Sequence, residues 1–173
     1  VGGAAHLVGR FVGSLRPGGP GALDLAWVTT TLTPAEREVW SAMSGPDRRH
    51  SVAVAREVDR LLDGAARPVL AAALLHDSGK TISRLRTPGR VAATIVLRAG
   101  RVDAATARRW SEATGWRRRV GTYALHPELG ATRLAALGSD PLTVAWTAEH
   151  HLPAERVTID PVAAEALRRA DDD

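Results

Sequence analysis

Apolar residues recur at helical spacing over most of this chain, and the residues that interrupt them are those that start and stop helices. Thr33-Pro34-Ala35-Glu36 reads as a capping box with Pro at the first helical position, opening a helix to about Met43. Asp47 is placed to cap the next, in which His50, Ala53, Val54, Val58 and Leu61 share a face before Gly64. Pro68 opens an Ala/Leu-rich helix reaching His76 that is apolar almost all round, which predicts a central position. Further helices are expected over 90–99, 104–114 and 116–124. Pro127 begins another, to about Leu137, with Gly138 as its stop. Asp140-Pro141 starts one that reaches His150, and Asp160-Pro161 starts the last, toward Asp171. Nothing after residue 33 alternates with period two, so residues 33–173 are expected to form a single all-α bundle of seven or more helices.

Residues 1–32 read differently. Pro17-Gly18-Gly19-Pro20-Gly21 is a breaker cluster, and the flanking Phe11-Val12 and Trp27-Val28-Thr29-Thr30-Thr31 stretches lean toward extended structure. This segment is expected to be a short irregular arm with at most a strand or hairpin.

Composition narrows the possibilities. At 173 residues the chain suits one domain, and 45% hydrophobic with 24% charged residues argues against wholesale disorder. Aromatics are only 4%, so the core must be built from Ala, Val and Leu. The absence of Cys excludes a disulfide scaffold, a thiolate zinc site and a cysteine nucleophile. The longest apolar run, Val69 to Leu75, is too short to span a bilayer. No basic-then-apolar leader pattern opens the sequence, so a cytoplasmic protein with no membrane partner is expected. Net charge is +4, and every basic residue except Lys80 is Arg. That surplus suits phosphate-bearing ligands without establishing nucleic-acid binding, for which no module is recognisable. The sequence leaves the oligomeric state open.

The candidate chemistry lies in the histidines. His50 shares a stripe with Val54 and Leu61, so its ring should point inward. His76-Asp77 closes the central helix just before Ser78-Gly79-Lys80, His126 precedes a helix, and His150-His151 ends one. Taken singly each has an ordinary structural use, as a bonded core residue, a cap or a dipole partner. Asp171 stands in a terminal run, Asp171-Asp172-Asp173, that is usually a solvated tail. His6 lies in the arm. Together, however, these residues place inward imidazoles and a His-Asp doublet at helix ends that can converge. Neighbours in a helix point about 100° apart, so a doublet reaches one ion only beyond the helix end. Imidazole and carboxylate without sulfur favour Fe, Mn, Zn, Co or Ni over a pure-oxygen Mg or Ca cage.

The order His50 … His76-Asp77-Ser78-Gly79-Lys80 … Asp171 resembles the H…HD…D motif of the HD-domain metal-dependent phosphohydrolase superfamily, over roughly residues 46–173. His126-Pro127-Glu128-Leu129-Gly130-Ala131 and Glu149-His150-His151 resemble the two extra histidine motifs of its binuclear, HDIG-like branch. The resemblance implies one metal held by His50, His76, Asp77 and Asp171. It implies a second held by His126 and His150, with Asp77 bridging and His151 able to join. Of the three terminal aspartates, the Ala170-Asp171 pairing favours Asp171. Catalytic roles fall to Asp77 and Lys80, and Lys80 would bind the substrate phosphate. The implied activity is phosphomonoester or phosphodiester hydrolysis of a nucleotide or related ester through metal-activated hydroxide. A non-catalytic HD module binding a nucleotide or partner, and an HD-type di-iron oxygenase, are the alternatives. Ser78 stands where the HDIG branch has Ile, and no GYP element follows His126. Gly79-Lys80-Thr81 is not the end of a phosphate-binding loop, which needs Gly at the position held by Leu74. Arg48-Arg49 and Arg117-Arg118-Arg119, with Trp116 beside them, are solvated faces or anion-steering clusters.

Overall fold

A computed structural model describes residues 18–172. Among them are ten α-helices and no strand, so the protein is all-α. In chain order the helices are α1 (Ala22–Thr31), α2 (Pro34–Ser41), α3 (Gly45–Leu61), α4 (Arg67–Leu75), α5 (Thr87–Ala99) and α6 (Ala104–Ser111). They continue with α7 (Gly115–Ala124), α8 (His126–Ala136), α9 (Pro141–Glu149) and α10 (Pro161–Asp172). Short 3-10 turns at Ser78–Ser83 and Ala154–Arg156 complete the regular structure of the described residues.

The starts follow their local chemistry. Thr33 and Glu36 form the expected capping box on α2, each side chain bonding the other's backbone N–H. At α3 the cap is Ser44 rather than Asp47. Ser44 Oγ accepts from the Asp47 N–H at 3.3 Å and donates to the Asp47 carboxylate at 2.7 Å. A hydroxyl three residues before an acid satisfies the first turn better than an acid already inside it. The buried face of α3 centres on Val54, Ala55 and Val58, while Ala53 is exposed. Every residue of α4 from Val69 to Leu75 is buried, so the helix that is apolar all round is central.

The extended tendency of Trp27–Thr31 is overturned, because this stretch is the second half of α1. The hydroxyls of Thr29, Thr30 and Thr31 donate to the carbonyls of Leu25, Trp27 and Trp27 at 2.8–2.9 Å. Val28 and Leu32 enter the main core. Burial of those two side chains outweighs the weak strand preference of threonine, whose hydroxyls bond backward along the helix. The arm reading for residues 1–17, including Phe11-Val12 and His6, lies outside the described residues.

One core gathers Val28, Trp40, Val58, Leu74, Leu134, Trp146 and Leu167, from α1, α2, α3, α4, α8, α9 and α10. A smaller one joins α5, α6 and α7 through Leu85, Ala93 and Val120, with Trp110 and Tyr123 against it. The Ser78–Ser83 turn packs against α8 and α7. Gly79 sits tightly against the start of α8: a Cβ on Gly79 would lie 2.0 Å from the His126 carbonyl oxygen and 2.9 Å from the Gly130 nitrogen. Only a residue without a side chain fits there. No helix of the described residues is long and apolar enough to cross a membrane.

Candidate metal centre

The end of α4 supplies His76 as its C-cap and Asp77 immediately after. His50 projects from α3 and Asp171 from the last turn of α10; His126 opens α8, and His150 caps α9 with His151 next. Five helices thus direct these side chains to one place.

Three of the imidazoles are held by the same local device. His76 Nδ1 donates to the Ala73 carbonyl at 2.9 Å, His126 Nδ1 to Tyr123 at 2.8 Å, and His150 Nδ1 to Thr147 at 3.0 Å. Each acceptor is a last-turn carbonyl, at the end of a helix where carbonyls lack a full set of intrahelical partners. The bond orients the ring and, in the neutral form, puts the lone pair on Nε2. All three Nε2 atoms are buried and lack a hydrogen-bond partner. A buried polar atom left unsatisfied costs about 1–3 kcal/mol, and three such atoms at one point ask for a common explanation.

Two donor clusters result. In one, His50, His76 and Asp171 place a ligand atom each within 4.8 Å of the others, with His50 Nε2 to Asp171 Oδ1 at 2.9 Å and His76 Nε2 to the same oxygen at 3.7 Å. In the other, His126, His150 and His151 do the same. Asp77 stands between them. Its Oδ2 is 3.5 Å from His76 Nε2, and its Oδ1 is 3.5 Å from His126 Nε2 and 3.7 Å from His150 Nε2. One oxygen therefore faces each cluster. Lys80 Nζ bonds Asp77 Oδ2 from one 3-10 turn along. Of the other terminal aspartates, Asp172 is exposed, and Asp173 lies outside the described residues.

The electrostatics follow this geometry. Burial pushes the Asp77 carboxyl up, but Lys80 and His76, with His126 and His150 beside it, outweigh that and hold it well below the usual range. Burial likewise opposes ionisation of Asp171, and the His50 bond and His76 charge overcome it, leaving it below its ordinary value. His76 is raised to about 9 because Asp77, with Asp171 behind it, overrides the desolvation of its ring. Lys80 is raised as well, Asp77 outweighing burial. In the second cluster burial lowers His126. Desolvation, then His150 and His126, bring His151 down to about 3, although its side chain reaches the surface. His126 and His151, both lowered, at one end and the two lowered carboxyls at the other offer nitrogen and oxygen donors of the kind a divalent cation takes.

Other residues emerge only in three dimensions. Tyr123 stacks on His126 with ring centroids 5.7 Å apart, besides offering the carbonyl that orients it. Arg48 lies over the Trp40 ring at 5.4 Å, so half of the Arg48-Arg49 pair has a structural use. Arg117, Arg118 and Arg119 are exposed on α7, with Trp116 beside them.

No protein-family model matches the chain, and no curated protein or solved structure does either. What the fold displays is two clusters of imidazole and carboxylate donors, each able to hold a metal ion, joined by the two oxygens of one aspartate.

Proposed function

We propose that this chain is a metal-dependent phosphohydrolase of the HD-domain type, acting on a nucleotide or a related phosphate ester. The observation that carries the reading is Asp77, whose two oxygens face separate donor clusters while the chain's one lysine bonds it. His50, His76, Asp77 and Asp171 would hold one divalent ion, and His126, His150 and Asp77, with His151 able to join, a second. Donors of nitrogen and oxygen type suit Fe, Mn, Zn, Co or Ni. Such ions supply Lewis acidity, acidifying water and neutralising charge on phosphoryl oxygens.

The chain's own residues do the rest. The Nδ1 bonds of His76, His126 and His150 keep their rings from rotating, so the donors need no reorganisation when a ligand arrives. Lys80, one-fifth exposed, turns from Asp77 to a non-bridging phosphoryl oxygen as negative charge grows there. His151, kept neutral by burial and by the neighbouring His150 and His126, retains a lone pair with which to complete the second cluster.

The test begins with metal content of the untreated protein. A screen of nucleotides and cyclic dinucleotides with Mn²⁺ follows, with oxygen consumption as a control. In the double variant His76→Ala/Asp77→Ala, tightly bound metal and phosphate release are both expected to disappear; undiminished turnover would refute the proposal.

A further inference from the structure

Where the end of the Ser78–Ser83 turn and the start of α5 meet the segment before α3 lies a cleft of about 510 Å³, within the roughly 300–1,000 Å³ usual for small-molecule sites. Arg84, Arg86 and Arg90 line it together with the hydroxyl residues Ser44, Thr81 and Thr87, and no Asp or Glu does. Arg90 is fixed: its Nε donates to the Leu85 carbonyl at 3.0 Å and its Nη1 to Asp47 at 2.6 Å. Asp47 cancels that charge, whereas among the described residues Arg84 and Arg86 have no carboxylate partner and are exposed. Arg84 adopts left-handed backbone geometry (φ 54°), unfavourable for a residue with a Cβ. Ser83 and Leu85 are buried on either side of it, so the backbone is anchored where the guanidinium emerges.

The cleft is continuous in chain with the centre. The Ser78–Ser83 turn carries Lys80 on Asp77, then Thr81 into the cleft wall, and ends at Arg84. Asp47, which pairs with Arg90, also acts electrostatically on Lys80. The Ser44 and Thr81 hydroxyls are engaged with Asp47 and the Ser78 carbonyl, so the anion-binding capacity lies in the two unpaired guanidinium forks, which match phosphate oxygens in pairs and face a cleft with no carboxylate in its lining.

We propose that this cleft is a second anion subsite, taking a phosphate of the substrate other than the one attacked at the Asp77 centre. The substrate then carries at least two phosphates, as a nucleoside polyphosphate or dinucleotide does. The identity of the ligand as substrate rests on the hydrolase reading; the anion site itself does not.

The test uses the full chain treated with chelator and titrated calorimetrically with inorganic tripolyphosphate. Arg84→Gln/Arg86→Gln should weaken binding at least tenfold, while Arg117→Gln/Arg118→Gln/Arg119→Gln, which removes more charge from α7, should weaken it less than threefold. Equal losses in both variants, or no tripolyphosphate binding by the parent chain, would overturn the subsite. Binding that depends on Arg84 and Arg86 supports it even where no ester is turned over, which is how failure of the hydrolase reading alone would appear. With turnover, the ratio of kcat/KM for a nucleoside triphosphate over p-nitrophenyl phosphate should fall at least tenfold in the Arg84/Arg86 variant, mainly through KM. An unchanged ratio would contradict the assignment to substrate.

Discussion

His76, His126 and His150 each give their Nδ1 proton to the carbonyl three residues earlier, and each turns a buried Nε2 toward Asp77. Removing one such ring should cost metal before it costs fold. His126→Ala is expected to lose about half of the bound metal where two ions are present, read by elemental analysis, with helix content retained. Unaltered stoichiometry would show that His126 is no ligand. His76 supplies a pH signature. Its raised value, about 9, means that metal and proton compete for the ring, so metal uptake near pH 7 should release a proton and metal affinity should climb until pH nears 9. In chelator-treated protein the sign is opposite. A histidine raised from about 6.5 stabilises the fold fully below 6.5, and that contribution fades as pH rises through about 9. The Tm of the chelated protein should therefore fall between pH 6.5 and 9.5 relative to His76→Ala, which lacks the titration.

Helix ends are where the elements of this fold do their chemistry. The Ser78–Ser83 turn can carry Asp77 and Lys80 to α8 only because Gly79 meets Gly130 with no side chain between them. A methyl group there must displace the His126 carbonyl or the start of α8. Gly79→Ala should thus destabilise the protein by about 2–3 kcal/mol, in the range of overpacking, and should also reduce bound metal. Urea unfolding with metal analysis checks both effects; stability lost with metal retained would uncouple the turn from the centre. By contrast, Thr33→Ala removes half of the capping box of α2, a helix that supplies no side chain to the centre. It should cost about 1 kcal/mol without affecting metal.

Across the molecule, the donor set joins α3, α4, α8, α9 and α10, elements that are far apart in sequence. An ion bound there stabilises the folded state alone, by mass action. Chelation is expected to lower Tm and to speed amide exchange in the last turn of α10, where Asp171 reaches His50, more than in α4, which is buried throughout. Uniform exchange along both helices would argue against that cross-link.

Much of this protein was legible before its structure. Most helix starts after residue 33 and the central position of α4 follow from capping and periodicity, which are local properties, while the set of His and Asp residues was what the resemblance to the H…HD…D pattern implied. Those same rules misplaced the α3 cap, because Ser44 and Asp47 are both plausible caps and only their mutual bond ranks them. They also assigned the Trp27–Thr31 stretch to extended structure, since threonine's strand tendency is local while the burial of Val28 against other helices is not. The sequence by itself determined which ligand types are available and at which helix ends they stand. Only the tertiary structure decided that Asp77 divides its oxygens between two clusters, that Gly79 and Gly130 touch, and that Arg84 and Arg86 share a cleft with Arg90. Those relations depend on how helices pack at distances no local spacing encodes, with side-chain volume and burial, summed over the whole core, selecting one arrangement.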